Sequence, residues 1–113
     1  MSIDELKYLE DILMAIEELE KFIGLDKRFE VFKTSQLLQR AVEREFEIIG
    51  EAIKNFKNLN KEIEIKNTKE IIGLRNRIAH AYDSVDYEYL WGIIINHVPK
   101  LKQEVASLIN NAK

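Results

Sequence analysis

Apolar side chains recur every three or four residues along most of this chain, and this spacing limits the possible folds more than any other feature. Such spacing places side chains on one face of an α-helix, whereas a half-buried strand needs strict alternation, which no segment shows. Only 4 glycines and 1 proline interrupt the 113 residues, too few turn-forming residues for a sandwich or a barrel. The sequence therefore predicts an all-α, up-down bundle of four main helices, or of five helical segments.

The first half of the chain contains two predicted helices. The first covers residues 3 to about 23, with Gly24 as its C-terminal stop. Residues 25–33 form a connector or a short helical turn. Thr34 is the predicted N-cap of a long second helix that runs to about Asn58.

The second half of the chain contains two more predicted helices. Asn67 and Glu70 have the spacing of a capping box at the start of the third helix. Ser84 or Asp86 caps the fourth helix. Pro99 removes a backbone donor there and either kinks that helix or divides it. Because the apolar spacing continues through the proline, we expect a kink.

The composition is that of a soluble globular protein. Hydrophobic residues make up 46% of the chain, charged residues 33%, and no apolar run approaches the ~18 residues that span a bilayer. No cysteine is present, and the N-terminus lacks the pattern of a secretory signal. We expect one domain over residues 1–113, in the cytoplasm, with no membrane partner. Because the net charge is −3, an RNA-facing site requires a local basic patch, for which Arg75 and Arg77 are candidates.

A charged stripe shares the second helix with the apolar seam. Its members follow at intervals of four, three and four residues: Arg40, Arg44, Glu47 and Glu51. One interpretation is a solvated face with ion pairs one turn apart. The other is a polar seam that faces a partner subunit or the helix that carries the active site.

Residues 75–82, on the third helix, bring together two guanidiniums, a carboxamide, an imidazole and a phenol. On a helix of ~100° per residue, Asn76 and His80 stack on one face, but Arg75 and His80 lie roughly 140° apart. Arg75 and His80 meet over one substrate only if the helix ends or bends near His80, or if a second copy of the chain supplies one of them. A small, strongly apolar bundle often buries one face in a partner, so we expect a homodimer.

These side chains suit RNA strand cleavage without a metal or other cofactor. His80 can act as general acid or base, since its reference pKa lies near neutrality. Arg75 can hold a phosphate and the extra charge of a phosphorane, while Asn76 orients the imidazole or donates to a phosphoryl oxygen. Tyr82, at the rim, can stack on a base or be modified. From the spacing alone, one Arg, one Asn and one His on a helix are more often a surface ion pair and a capping histidine.

Four further residues have structural or mixed interpretations. His97 is expected to be structural, and Trp91 lies in the apolar seam and is expected to be core. Tyr87 and Tyr89 serve either packing or RNA stacking.

Residues 75–82 resemble the Arg-x4-His-x-Tyr signature of HEPN-domain proteins, specifically the HepT-like branch. Residues 44–52, with the sequence Arg-Glu-Phe-Glu-Ile-Ile-Gly-Glu-Ala, resemble the long second helix of that branch. Leu74 and the opening of the next helix, residues 86–91, fit as well. The resemblance extends over nearly the whole chain.

The resemblance implies a helical bundle that dimerises and gathers its Arg and His residues in a cleft at the dimer interface. Arg75 and His80 would be catalytic and Asn76 supporting, with Arg77 beside them for RNA binding. The protein would be the ribonuclease toxin of a type VII-like toxin–antitoxin system. A minimal nucleotidyltransferase would act as antitoxin by attaching AMP to Tyr82. The alternative is a non-catalytic helical subunit that binds such a nucleotidyltransferase, with Arg75 and His80 at the interface.

Overall fold

The computed structural model describes residues 1–80 and 85–112. Within these ranges there are helices and no strands, so the all-α prediction is confirmed. The helical segments are α1 (Ile3–Ile23), α2 (Phe29–Thr34), α3 (Gln36–Leu59), α4 (Lys69–His80), α5 (Tyr87–Asn96) and α6 (Val98–Ala112). Their number exceeds the expected five because the connector forms α2 and the last predicted helix is divided.

Helix α1 has the predicted bounds because both of its ends are capped. The Ser2 Oγ accepts a hydrogen bond from the Glu5 backbone N–H at 3.1 Å, and Glu5 Oε2 accepts from the Ser2 N–H at 2.8 Å. At the other end Gly24 has a φ of 73°, which a residue with a side chain adopts only with strain. Helices α3 and α6 both pack against α1, and their apolar faces form the core.

Helix α3 begins one residue later than predicted, because Ser35 and not Thr34 is its N-cap. The Ser35 Oγ accepts from the Leu38 N–H at 3.1 Å. Thr34 belongs to the last turn of α2, where its hydroxyl donates to the Glu30 carbonyl at 2.9 Å. The predicted cap was wrong because the connector is helical up to Thr34.

Helix α2 attaches α5 to the bundle through aromatic side chains. The fully buried Phe32 lies 5.4 Å from Trp91 and 5.8 Å from Tyr87 between ring centroids, and Phe29 lies 5.7 Å from Trp91. Gln39 of α3 donates to the Phe32 carbonyl at 3.0 Å and so caps the end of α2. The aromatic contacts hold the first turns of α5 in place, and these turns border the candidate site.

Helix α4 packs against α3 through Ile71, Leu74 and Ile78, which are buried as the 3-4 spacing predicted. Its start is held by α6 and not by the predicted capping box, which was wrong. Glu104 accepts hydrogen bonds from the Lys66 N–H at 2.7 Å and from the Asn67 backbone and side-chain N–H groups at 3.0 and 2.9 Å. A carboxylate from a distant helix thus replaces the local one.

The N-cap of α5 is Asp86, one of the two predicted caps, whose Oδ1 accepts from two backbone N–H groups of the first turn. The other, Ser84, lies outside the described residues. The expected kink is instead a break at His97, with α6 beginning at Val98. Pro99 explains the break, because it has no N–H for a hydrogen bond one turn back, whereas in the first turn of a new helix that donor is not needed.

Candidate active site

Arg75 and His80 both lie on α4 but contact different neighbours. The side chain of Arg75 lies against α3, with Nη2 3.6 Å from Glu51 Oε2, and its Nη1 donates to Asn76 Oδ1 at 3.3 Å. It is 31% exposed, so its guanidinium is partly shielded from water. His80 is exposed and lines a cleft between α4 and α5.

Arg75 can lie on α3 only because residue 50 is a glycine. A Cβ atom added to Gly50 would stand 2.6 Å from Arg75 Cγ and 3.0 Å from its Cδ, closer than such atoms approach in folded proteins. The Nε of Arg75 is buried there without a hydrogen-bond partner. Residues 44–52 contributed to the family resemblance, but sequence reasoning assigned Gly50 no role, because nothing local shows which side chain crosses it.

The cleft that contains His80 has a volume of about 520 Å³. Its described lining consists of Asn76, Arg77 and His80 from α4, the apolar Leu74 and Val85, and Asp86 and Tyr89 at the start of α5. The cleft therefore brings together three of the four predicted polar residues of α4, and Arg75 is not among its lining residues. Tyr82, the predicted modification site, lies outside the described residues.

Arg77 and Tyr89 form the principal side-chain contact across the cleft. The guanidinium carbon of Arg77 lies over the Tyr89 ring, 4.6 Å from its centroid, which is a cation–π geometry. Tyr87, by contrast, packs on Phe32, and its hydroxyl donates to Glu43 at 3.1 Å. Burial, together with the negative charge of Glu43, raises the pKa of Tyr87. Of the two tyrosines, only Tyr89 faces the cleft.

The charged stripe of α3 divides between its two interpretations. Arg44 and Glu47 form an exposed ion pair one turn apart, with 3.5 Å between Nη1 and Oε2. Glu51 instead contacts Arg75 on α4. A further carboxylate of α3, Glu45, is 5% exposed and has one oxygen buried without a hydrogen-bond partner. Its burial raises its pKa, and the nearby Glu18 raises it further.

The remaining predicted structural residues occupy packing positions. Trp91 packs on Phe29 and Phe32. His97 is half-buried, with Nδ1 3.8 Å from Glu70 Oε2. Residues 1–80 and 85–112 contain no group of three His, Cys, Asp or Glu side chains placed to hold a metal ion. Nor does any helix in these ranges have the length and apolar character to cross a membrane.

Comparison with known proteins identifies the family. The model of the ribonuclease HepT-like family matches residues 12–108. A Thermococcus cleftensis protein named "Probable ribonuclease HepT" is 41% identical over 105 residues, which cover 89% of this chain and 92% of the relative. A protein of Caldanaerobacter subterraneus subsp. tengcongensis, named as a candidate RNase, is 39% identical over 111 residues, covering 94% and 95% of the two chains.

A third relative, from Methanocaldococcus jannaschii and likewise named as a candidate RNase, is 34% identical over 106 residues, which cover 92% of this chain and 86% of the relative. No solved structure matches this chain at a significant level. The chain belongs to the HepT-like ribonuclease family, as the resemblance of residues 75–82 had indicated.

Proposed function

We propose that this protein is a cytoplasmic toxin of a type VII-like toxin–antitoxin system and cleaves RNA endonucleolytically without a metal ion. The observation that carries the proposal is the arrangement of α4, which holds Arg75 against α3 and presents His80 in a cleft. Family membership supports a ribonuclease activity. The names of the relatives point to the same activity.

The proposed reaction uses the ribose 2′-hydroxyl as its nucleophile. The 2′-oxygen loses its proton and bonds to the adjacent phosphorus, the bond from phosphorus to the 5′-oxygen breaks, and that oxygen takes up a proton. His80 assists the proton transfers, and Arg75 stabilises the negative charge of the phosphorane. The products are a 2′,3′-cyclic phosphate and a 5′-hydroxyl. DNA, which has no 2′-hydroxyl, is not a substrate.

A homodimer is part of the proposal, because Arg75 and His80 of one chain face different neighbours. Both residues lie within α4 (Lys69–His80), where Arg75 is directed at α3 and His80 lines the cleft toward α5. A second copy can place its own Arg75 or His80 opposite the first. Pairing of identical surfaces in a two-fold dimer is the commonest way for such a chain to complete a site.

The proposal is tested with RNA in the presence of EDTA. The wild-type protein should cleave total RNA, and Arg75→Ala or His80→Ala should each slow cleavage by roughly 10²- to 10⁴-fold, the range for loss of an acid–base or charge-stabilising group. The products should carry cyclic phosphate and 5′-hydroxyl ends by mass spectrometry. If unmodified wild type and both variants leave RNA equally intact, the ribonuclease proposal fails. Inhibition by EDTA would contradict metal independence alone.

Neutralisation by AMP transfer to Tyr82 is the regulatory part of the proposal and rests on the family resemblance. The phenol oxygen of Tyr82 would attack the α-phosphorus of ATP, bound to a minimal nucleotidyltransferase, and release pyrophosphate. Mixing the protein with that partner and ATP should add AMP units to its mass and suppress RNA cleavage. Tyr82→Phe should gain no mass. If it gains as much as wild type, the target residue is another one.

The alternative function is a non-catalytic subunit that binds the nucleotidyltransferase. The Arg75–Glu51 ion pair favours it, because that contact gives Arg75 a structural use. The same RNA experiment separates the two functions. A non-catalytic subunit would bind the nucleotidyltransferase and leave RNA intact, with or without the substitutions.

A further inference from the structure

We propose that Arg77 and Tyr89 form a platform on which one unpaired nucleobase of the RNA substrate stacks, beside His80. This inference rests on the proposed ribonuclease function and adds a substrate subsite to it. Arg77 comes from α4 and Tyr89 from the first turn of α5, so the platform spans the cleft between the two helices. In this account Tyr89 acts in RNA stacking, one of the two roles that its sequence position left open.

The two side chains of the platform are in contact, and the turn that carries Tyr89 is fixed. The Arg77 guanidinium lies 4.6 Å from the centroid of the Tyr89 ring. Tyr89 is 38% exposed, so part of its ring surface is free to contact a ligand. Its backbone N–H and that of Glu88 both donate to Asp86 Oδ1 at 3.1 Å, which fixes the turn that carries the ring. A guanidinium and an aromatic ring are the two planes on which proteins stack single-stranded bases.

The space beside the platform suits a base. The cleft volume of about 520 Å³ falls within the range typical of small-ligand pockets. The partly exposed Val85 supplies apolar surface for the face of a base, and Asn76 supplies an amide for its edge. Asp86 also lines the cleft and would repel a phosphate, so Arg77 is better placed to stack on a base than to follow the sugar–phosphate backbone.

The spacing of Arg77 and His80 along α4 sets how far a stacked base lies from the bond that is cleaved. Arg77 precedes His80 by three residues, nearly one turn and about 4.5 Å along the axis. Both side chains line the same cleft. A base stacked at Arg77 and Tyr89 therefore places its own ribose, or the next one, within reach of the imidazole. The platform would select an unpaired nucleotide at the cleavage site, because a base within a duplex cannot stack there.

Binding of a short single-stranded RNA tests the platform. Titrations use the His80→Ala protein, in which cleavage is expected to be slow, with a further Tyr89→Ala, Tyr89→Phe or Arg77→Ala substitution. Tyr89→Ala and Arg77→Ala should each raise Kd roughly tenfold, as expected for the loss of one stacked base, while Tyr89→Phe stays near the parent value. The matched control is Phe22→Ala, since Phe22 is equally exposed (37%) and lies in the last turn of α1, outside the cleft.

An abasic scan of the same RNA assigns the contact. One base at a time is removed from the RNA, and removal should raise Kd at only one position. This rise in Kd should be absent in the Tyr89→Ala protein, because the abasic site and the substitution remove the same contact. Equal penalties in both proteins, unchanged binding by Tyr89→Ala, or no RNA binding by the His80→Ala parent would each overturn the platform. Cleavage by wild type is scored separately. Cleavage without the scan pattern overturns only the platform, and the scan pattern without cleavage overturns only the ribonuclease proposal.

Discussion

The two sides of α4 differ in how firmly they hold their functional side chains. On the packed side, Arg75 lies across Gly50, is paired with Glu51 and has its Nε buried. On the open side, His80 and its neighbours line an accessible cleft of about 520 Å³. Two buried side-chain atoms in the described residues have no hydrogen-bond partner: Arg75 Nε lies on this packed side, whereas Glu45 Oε2 lies where α3 faces α1.

This difference suggests that the two sides of α4 have different roles in the proposed reaction. A group that stabilises charge works best when it is fixed before the substrate arrives, whereas a proton-transfer group must reach the substrate. The packed side would fix Arg75 before the substrate arrives. The open side would let His80 reach the substrate. In the proposed homodimer, a second chain would supply the Arg75 or His80 that completes the site over one phosphate.

The largest expected effect is restoration of activity by mixing two inactive variants. If a site takes Arg75 from one protomer and His80 from the other, Arg75→Ala mixed with His80→Ala forms heterodimers that contain one intact site. We expect RNA cleavage to rise from background to a substantial fraction of wild type after subunit exchange, in an assay that follows a fluorescent RNA.

The control for mixing is His80→Ala combined with the double variant Arg75→Ala/His80→Ala, which cannot form an intact site in either arrangement. Activity restored only in the first mixture supports a shared site. Subunit exchange is verified with mass-tagged dimers. If exchange occurs and activity is not restored, Arg75 and His80 act within one protomer, which would contradict the proposed separation of roles between the two sides of α4.

A smaller effect is expected from Gly50→Ala, which tests the packed side alone. The added methyl group collides with Arg75 Cγ and forces the side chain away from Glu51. We expect kcat for RNA cleavage to fall roughly tenfold to hundredfold, as for a reacting group displaced by about 1 Å. Circular dichroism should show unchanged helix content, because alanine is the better helix former.

Gly73→Ala is the matched control on α4 itself, since a Cβ atom there meets no other atom within 4 Å. Both substitutions bring the same gain in helix propensity, so any difference in kcat between them reports the position of Arg75. Equal kcat for the two variants would mean that the close approach of Arg75 to α3 has no catalytic consequence.

The smallest effect concerns the other unpaired group, Glu45. Since burial raises its pKa above the ordinary value of 4.5, the folded state keeps the proton to a higher pH than the unfolded state. The free energy of unfolding should therefore fall as the pH rises from 4.5 through the raised pKa. Glu45→Gln should remove this fall and stabilise the protein by about 1 kcal/mol at neutral pH.

Urea unfolding at acidic and neutral pH measures this effect, with Glu10→Gln on the exposed surface of α1 as the control. A pH dependence that persists in Glu45→Gln would assign it to other groups. Unchanged RNA cleavage in this variant would confine the role of Glu45 to stability.

The sequence predicted those features of the fold that depend on local periodicity. The bounds of α1, the buried face of α4 and the cap at Asp86 follow from residues within a few positions of each other. Of the predicted caps that were wrong, the capping box failed because of a distant partner and the cap of α3 because of the adjacent connector. Asn67 bonds Glu104 instead of the nearby Glu70, and the turn before α3 is capped at Ser35 because the connector is itself helical.

For the candidate site, the sequence likewise predicted which residues take part. It did not predict which residues of other helices surround them. Helix geometry placed Arg75 and His80 far apart in angle, and in the structure Arg75 contacts α3 while His80 lines the cleft between α4 and α5. The spacing of residues on α4 could not indicate that Gly50 accommodates Arg75 or that Tyr89 lies under Arg77. Both contacts join separate helices, and no pattern within one helix encodes them.

The three hydrogen bonds that Glu104 accepts from Lys66 and Asn67 have a consequence for biosynthesis. A ribosome makes α4 well before it makes α6, and the carboxylate that secures the start of α4 is 37 residues further along the chain. A nascent chain that still lacks α6 therefore lacks the three hydrogen bonds that hold the start of the helix with Arg75 and His80. The proposed ribonuclease activity, if it requires α4 in its final place, would therefore begin only after α6 has been synthesised.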